Sequence, residues 1–215
     1  MRKEIISPSV VKRLPRYYRF LSDLLAKGTG KISSGELSKI MGTTASQIRQ
    51  DLNCFGGFGQ QGYGYNVEIL RDEIATILGL NHKYSAVLIG AGNLGRAIAN
   101  HIAFTEKGFT LSAIFDVDET IIGENMNGIV VENIDKLKDF CKKHKPDVAV
   151  LCIPKNVAES MSKQLIEYGI NAFWNFSHYD IAMEYPQVSV ENVHLGDSLM
   201  TLCYKKTLTE EKENN

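Results

Sequence analysis

The sequence predicts an α/β protein: an N-terminal winged helix-turn-helix domain, a Rossmann-type parallel-sheet domain, and a C-terminal helix. Three observations predict it. Residues 1–66 carry ten Lys+Arg against four Asp+Glu, whereas residues 67–215 carry 14 against 21. The basic part has a helix, glycine turn, helix, hairpin pattern. The acidic part opens with an apolar run leading into a Gly-x-Gly-x-x-Gly turn, and strands and helices alternate after it.

Composition sets the outer limits. A chain of 215 residues allows one large domain or two small ones, and 44% hydrophobic residues exclude a disordered chain. No apolar run approaches the roughly 18 residues of a membrane span, so a soluble protein without a membrane partner is expected. The N-terminus has basic residues but no continuous apolar core or small-residue cleavage site, so no signal peptide is read. Cys54, Cys141, Cys152 and Cys203 form no Cys-x-x-Cys and have no histidine at zinc spacing. They read as reduced thiols of a cytoplasmic protein, with no metal site.

In the basic part, Pro15 is expected in the first turn of a helix that carries Tyr17, Phe20, Leu21, Leu24 and Leu25 at helical spacing and stops at Gly28. Ser33 or Ser34 caps a second helix with Leu37 and Ile40 facing inward, ended by Gly42. Thr43-Thr44 caps a third, Ala45 to Leu52. Its apolar stripe is narrow, Ile48 and Leu52 with Ala45, so Ser46, Gln47, Arg49 and Gln50 are left on faces that can read base edges. The stretch from Phe55 to Tyr65 alternates glycine with aromatics and glutamine. It reads as a tight hairpin, the wing, whose five glycines within nine residues permit close backbone approach to a DNA minor groove. A linking helix spans Leu70 to Leu80.

The acidic part begins with the strand Tyr84 to Ile89, which runs into Gly90-Ala91-Gly92-Asn93-Leu94-Gly95 and a helix. A strand Phe109 to Phe115 ends in Asp116, 21 residues beyond Gly95. A helix Ile134 to His144, a strand Asp147 to Ile153, a helix Val157 to Tyr168 and a strand Ala172 to Phe176 follow. A lone Gly-x-Gly-x-x-Gly is weak; strand before, helix after and acid at the end of the next strand make it a dinucleotide-binding fingerprint. Gly90 allows the turn, Gly92 lets pyrophosphate approach the backbone, and Gly95 lets the helix pack on the strand. Phosphates would sit at the helix N-terminus, where free N–H groups and the macrodipole favour anions. Asp116 would accept from ribose hydroxyls. Val117 and Asp118 follow it with no basic residue, which favours NAD(H) over NADP(H). Pro154, Asn175 and Phe176 stand at carboxyl ends of strands and are expected to line the nicotinamide half.

A dehydrogenase adds a substrate domain and a proton-transfer residue. Only about 40 residues follow Phe176, and the five histidines show no nucleophile partner or metal spacing. The dinucleotide site is therefore expected to be a sensor, with no catalytic residue. The tail, Gly196 to Lys212, reads as an amphipathic helix with Leu199, Leu202 and Cys203, expected to pack on a second chain.

These residues carry a family resemblance. RLPRYYRFL, SSGELSKIMGTTASQIRQDLNCFGGFGQQGYGYNV, VLIGAGNLGRAIA, IFDVD, NFS and the VENV from Val190 are similar to the redox-sensing transcriptional repressor family Rex over essentially the whole chain. The resemblance implies residues 1–80 as winged-helix DNA-binding domain, 81–195 as NAD(H)-binding domain and 196–215 as a swapped dimerisation helix and tail. It implies a homodimer on an A/T-rich inverted-repeat operator, released when NADH binds, that controls fermentation or respiration genes. It also implies Arg13 and Arg16 on phosphates, Ser46, Gln47, Arg49 and Gln50 in the major groove, and Gln60 and Gln61 at the wing tip. Arg19 matches the arginine that couples the two domains through a switch pair, a Tyr and an Asp, replaced here by His101 and His194. Leu195 stands where the family has an aromatic over the nicotinamide. Asp197, one turn later, is the available replacement carboxylate; without it the coupling would be weak or pH-dependent. Two other readings stay open: a small NAD-dependent oxidoreductase with a fused helix-turn-helix, and a regulator sensing another adenine-bearing ligand such as an acyl-CoA.

Overall fold

The computed structural model describes residues 6–54, 59–60 and 64–213. The chain divides into two compact units, Met1–His82 and Lys83–Asn215.

The first unit contains α1 (Pro8–Ala26), β1 (Lys31–Ile32), α2 (Ser34–Met41), α3 (Ala45–Asn53), β2 (Gly59–Gln60), β3 (Gly64–Asn66) and α4 (Val67–Ile77). The three strands form a small antiparallel sheet in the order β1-β3-β2. Three details differ from the expectations. Helix α1 starts seven residues earlier than expected, because Ser7 accepts from the Val10 N–H and Pro8 takes the first-turn position. Pro15 therefore lies inside the helix on its exposed side, forgoing one backbone bond, while Leu14, Tyr17 and Leu21 hold the helix to the core. In α2 the inward residue after Leu37 is Met41, four positions on, and Ile40 is 44% exposed. The caps follow the sequence closely. Ser33 and Glu36 make a reciprocal capping box, Gly42 ends α2 in the left-handed region, and Thr44 caps α3. Helix α4 starts three residues before the expected Leu70 because Asn66 caps it directly from β3.

The second unit contains β4 (Tyr84–Ile89), α5 (Asn93–His101), β5 (Phe109–Asp116), β6 (Asn125–Met126), β7 (Ile129–Asn133), α6 (Leu137–His144), β8 (Val148–Leu151), α7 (Lys155–Glu167), β9 (Ala172–Asn175), α8 (Ile181–Glu184), β10 (Ser189–Asn192) and α9 (Leu195–Glu213). The strand order is β10-β9-β8-β4-β5-β7-β6, parallel throughout except where β6 pairs with β7. That order reverses direction between β4 and β8, the switch point where such sheets bind ligands beyond their carboxyl ends.

Alternation along the strands divides the core in two. Val87, Ile89, Ala149, Leu151 and Phe173 pack with Leu137, Cys141, Met161, Leu165 and Ile181 from α6, α7 and α8. Leu88, Ile114 and Val150 point the other way, onto Ile98 and Ala99 of α5 and Phe104. The sequence reading did not find β6, β7, α8 or β10. The last is mostly exposed, and its four residues are carried by parallel pairing with β9 rather than by an apolar pattern.

Candidate nucleotide and DNA sites

Strand β4 delivers the chain into Gly90, whose φ is +93° and whose absent Cβ would lie 2.5 Å from the Cys152 carbonyl oxygen at the end of β8. The turn thus forms where β4 and β8 separate, and only glycine fits it. Gly95 meets the turn from the other side: a Cβ there would lie 1.9 Å from the Gly90 oxygen and 3.1 Å from Leu88 Cδ2. Its absence lets α5 sit directly on the strand end. Gly92 differs from both, since a Cβ there would meet nothing within 4 Å. It is exposed and caps α5 with backbone alone. Helices α1 to α4 each have a side chain bonded to a first-turn N–H, from Ser7, Ser33, Thr44 and Asn66; α6, α7 and α8 have none, and neither does α5. Its N–H groups remain available to an anion, with Asn93 and Leu94 exposed beside them.

Asp116 ends β5 beside this turn. One carboxylate oxygen accepts the Ala91 N–H at 2.5 Å, and the other accepts those of Val117 at 2.7 Å and Asp118 at 2.9 Å. The side chain thereby braces the turn. Val117 is 72% exposed next to it. Arg96, in the first turn of α5, is tied to Glu124 at 2.6 Å.

The residues expected around the nicotinamide divide. Pro154 is exposed and precedes α7 at the end of β8; Phe176 is half-buried, edge-on to Trp174. Asn175 is fully buried and offers a ligand no exposed surface. Its amide donates to the Tyr179 carbonyl and to Asn192 Oδ1, and its oxygen accepts from the Ser177 N–H and hydroxyl. It joins the carboxyl ends of β9 and β10. His194 stacks on His178 at 4.8 Å between ring centroids, and its Nδ1 lies 3.5 Å from Asp197 Oδ2 in the first turn of α9. Leu195 is 63% exposed and His101 is exposed at the end of α5.

In the first unit, α3 exposes Ser46, Arg49 and Gln50, with Gln47 half-buried; Arg49 reaches Ser34 at the start of α2 at 3.1 Å. Arg16 donates to the Met41 carbonyl at 2.5 Å, and both Arg16 and Arg19 lie over the Phe20 ring. Gln60 is described only as a backbone position of β2, and Gln61 lies outside the described residues. One residue that the sequence reading passed over stands out here. Asp51, 1% exposed on α3, receives Arg13 through two bonds of 2.7 and 2.6 Å, the Tyr17 hydroxyl at 2.9 Å and the Gln47 amide at 2.8 Å. Burial pushes its carboxyl up, but the bonds from Arg13, Gln47 and Tyr17 and the Arg13 charge outweigh that and hold it below the usual carboxylate range. The signal was an acid four residues after Gln47, on the apolar stripe of a helix in a basic unit.

Among the described residues no group of His, Cys, Asp and Glu could hold a metal ion, and no helix is long and apolar enough to cross a membrane.

A capped helix-turn-helix with a small antiparallel sheet, joined in one chain to a dinucleotide fold, defines a ligand-responsive transcription regulator. Comparison with known proteins agrees on both halves. Residues 5–53 match a family model described as a putative DNA-binding protein N-terminus, and residues 81–179 match a CoA binding domain model. The redox-sensing transcriptional repressor Rex of a Thermoanaerobacter species is 50% identical over 98% of this chain and 93% of its own length. That of Clostridioides difficile is 54% identical over 93% of this chain and 94% of its own. The crystal structure of RSP, a Rex-family repressor, superposes with a TM-score of 0.88 at 45% identity, covering 98% of each chain. RSP in complex with β-NAD+ and operator DNA gives 0.87 at 46% identity, covering 98% of this chain and 97% of that one. The chain belongs to the Rex family of redox-sensing transcriptional repressors, and so to a family of regulators rather than enzymes.

Proposed function

We propose that this chain is a cytoplasmic repressor that reads the NADH/NAD+ ratio: NADH bound beyond β4 and β8 releases it from an A/T-rich inverted-repeat operator controlling fermentation or respiration genes. One observation carries the ligand reading. The N-terminus of α5 has no side-chain cap and opens onto free space at Gly92, beside the Asp116 carboxylate. A pyrophosphate fits the first feature and a ribose the second. Gly90 to Gly95, with Asp116 and Val117, hold the adenylate half; Pro154, Phe176 and Leu195 border the nicotinamide half, with Asn175 positioning the loop behind. RSP, bound to β-NADH in one crystal structure and to β-NAD+ with operator DNA in another, supports both ligands and the DNA target.

Ser46, Gln47, Arg49 and Gln50 enter the major groove, Arg13 and Arg16 contact phosphates with the donors their internal bonds leave free, and Gln60 and Gln61 lie at the wing tip. Domains of 1–80, 81–195 and 196–215 serve DNA, ligand and dimer contacts respectively. Dimerisation has its own support. Helix α9 exposes Leu199, Met200, Leu202 and Tyr204 at 60–66%. The sheet face of β8, β9 and β10 carries an apolar groove of about 490 Å³ lined by Phe104, Phe109, Val150, Trp174 and Val190. A second copy's α9 is the occupant of matching chemistry. Arg19, His101, His194 and Asp197 form the coupling between ligand and DNA.

The match to a CoA-binding model favours one competing reading, a different adenine-bearing ligand. Calorimetric titration with NADH, NAD+ and CoA decides between them. NADH binding that CoA does not displace supports the proposal; CoA binding that excludes NADH replaces it.

A further inference from the structure

We propose that Asp51 is a positioning residue for DNA specificity: it fixes the side-chain amide of Gln47 so that α3 presents a carbonyl and one N–H that select adenine at one position of each half-site. This rests on the reading of α3 as the helix that enters the major groove.

Four donors converge on one buried carboxylate. Oδ1 accepts from Arg13 Nη2 at 2.6 Å and from Gln47 Nε2 at 2.8 Å; Oδ2 accepts from Arg13 Nε at 2.7 Å and from the Tyr17 hydroxyl at 2.9 Å. A carboxylate has about four lone-pair sites and no hydrogen to donate, so Asp51 is saturated by these bonds. The position of its partners is equally determined. Tyr17 and Leu14 of α1 are buried, and Arg13 is clamped through two parallel bonds, so the carboxylate cannot turn without breaking several contacts.

Of the three donor residues, only Gln47 has an orientation to choose, and Asp51 removes that choice. A free glutamine amide rotates, offering donors or acceptor to a base at will. Here the acceptor-only partner admits Nε2 and rejects Oε1, since a flipped amide would set its carbonyl oxygen against the carboxylate where Nε2 now sits at 2.8 Å. One N–H is thereby used up. The carbonyl oxygen and the second N–H remain, the pair that accepts from N6–H and donates to N7 of adenine in the major groove. Thymine, guanine and cytosine offer no such pair in that order. Gln47 lies one turn before Asp51, half-buried, next to exposed Ser46 and so at the edge of the exposed face of α3. A buried acid inside a positively charged unit is also explained. Its charge is neutralised by Arg13, and it trades electrostatic attraction for DNA against a defined reading edge.

The test uses the full chain at fixed salt, because phosphate contacts make affinity steeply salt-dependent. An operator is selected from a randomised inverted-repeat pool, and each half-site position is then varied through all four bases in competition binding. Wild-type protein is expected to favour adenine at one position by tenfold or more. Gln47→Met should flatten that position alone. Asp51→Asn should flatten the same position to within about threefold, because the amide so introduced can donate as well as accept and lets the Gln47 amide flip. It should add nothing to specificity in the Gln47→Met background. Tyr17→Phe, which leaves the Asp51–Gln47 bond, should keep the adenine preference. Retention of the full preference in Asp51→Asn overturns the proposal, as does an equal loss of affinity for all four bases. Should Asp51→Asn not fold, the wild-type Gln47 side-chain amide carries the test by 15N spectroscopy. One amide proton protected from solvent exchange supports the proposal, and two equally exposed ones overturn it. If wild-type protein selects no operator at all, the DNA reading fails, and this inference falls with it.

Discussion

Two glycines three residues apart should fail in opposite ways when given a methyl group. In Gly95→Ala the new Cβ would stand 1.9 Å from the Gly90 oxygen. Carbon and oxygen rest at about 3.3 Å, so α5 must retreat from the end of β4 by about 1.4 Å. Overpacking of this kind costs about 1–3 kcal/mol. For a chain of this size each kcal/mol lowers Tm by about 2–4 °C, so a drop of roughly 2–12 °C is expected. In Gly92→Ala the Cβ meets nothing within 4 Å, and the backbone φ of −64° is open to any residue. Its Tm should stay within about 1 °C of wild type, because a methyl group in open space changes little. The same methyl group occupies the approach of the pyrophosphate, so NADH affinity should fall tenfold or more. Calorimetric Tm and NADH titration on both variants read the two quantities separately. Gly92→Ala that binds NADH like wild type would refute the placement of the phosphates, whatever Gly95→Ala does.

Acid should act through Asp51. Its carboxyl is held below the usual carboxylate range, so its contribution is complete above the unfolded value near 3.9 and is lost as pH falls through the lower folded value. Urea midpoints from pH 7 down to 2.5 should therefore fall more steeply below about pH 4 for wild type than for Asp51→Asn, with parallel curves counting against the network. Burial pushes the Cys141 thiol up to about 11 and Cys152 up to about 12, whereas Cys54 and Cys203 are exposed. Alkylation at pH 8 in the folded protein should label Cys54 and spare Cys141 and Cys152; mass spectrometry of the digest checks this. Replacing Leu199 and Leu202 together by Asp alters side chains 63% and 60% exposed, so Tm of the single subunit should hold while sedimentation shows a monomer. A dimer surviving that change removes α9 from the interface.

Much of the fold was legible because the residues that carry it act locally. Ser33 with Glu36, Thr44 and Gly42 declare their helix ends within a few positions, and the run from Tyr84 to Gly95 shows strand, turn and helix in sequence. Pro15 misled because Ser7-Pro8 offers a better cap earlier, and tertiary packing of Leu14 and Tyr17 carries the helix through the second proline. Strand β10 was invisible for a different reason: Ser189 to Asn192 has almost no buried side chain, and its pairing with β9 is a long-range event. At the nucleotide site the glycines and Asp116 were readable from spacing, but the inward turn of Asn175 was not. Nothing in Asn-Phe-Ser tells whether the amide faces ligand or protein. The Asp51 cluster was hidden for the same reason, since Arg13 and Asp51 are 38 residues apart.

In this reading NADH and operator DNA compete through one molecule. The direct measurement is the wild-type protein bound to a selected inverted-repeat operator at fixed salt, titrated with NADH and separately with NAD+. Release is expected with NADH at concentrations at which NAD+ leaves the complex intact, since a ligand shifts an equilibrium only by its differential affinity for the two states. A complex that responds to neither nucleotide, or equally to both, contradicts it.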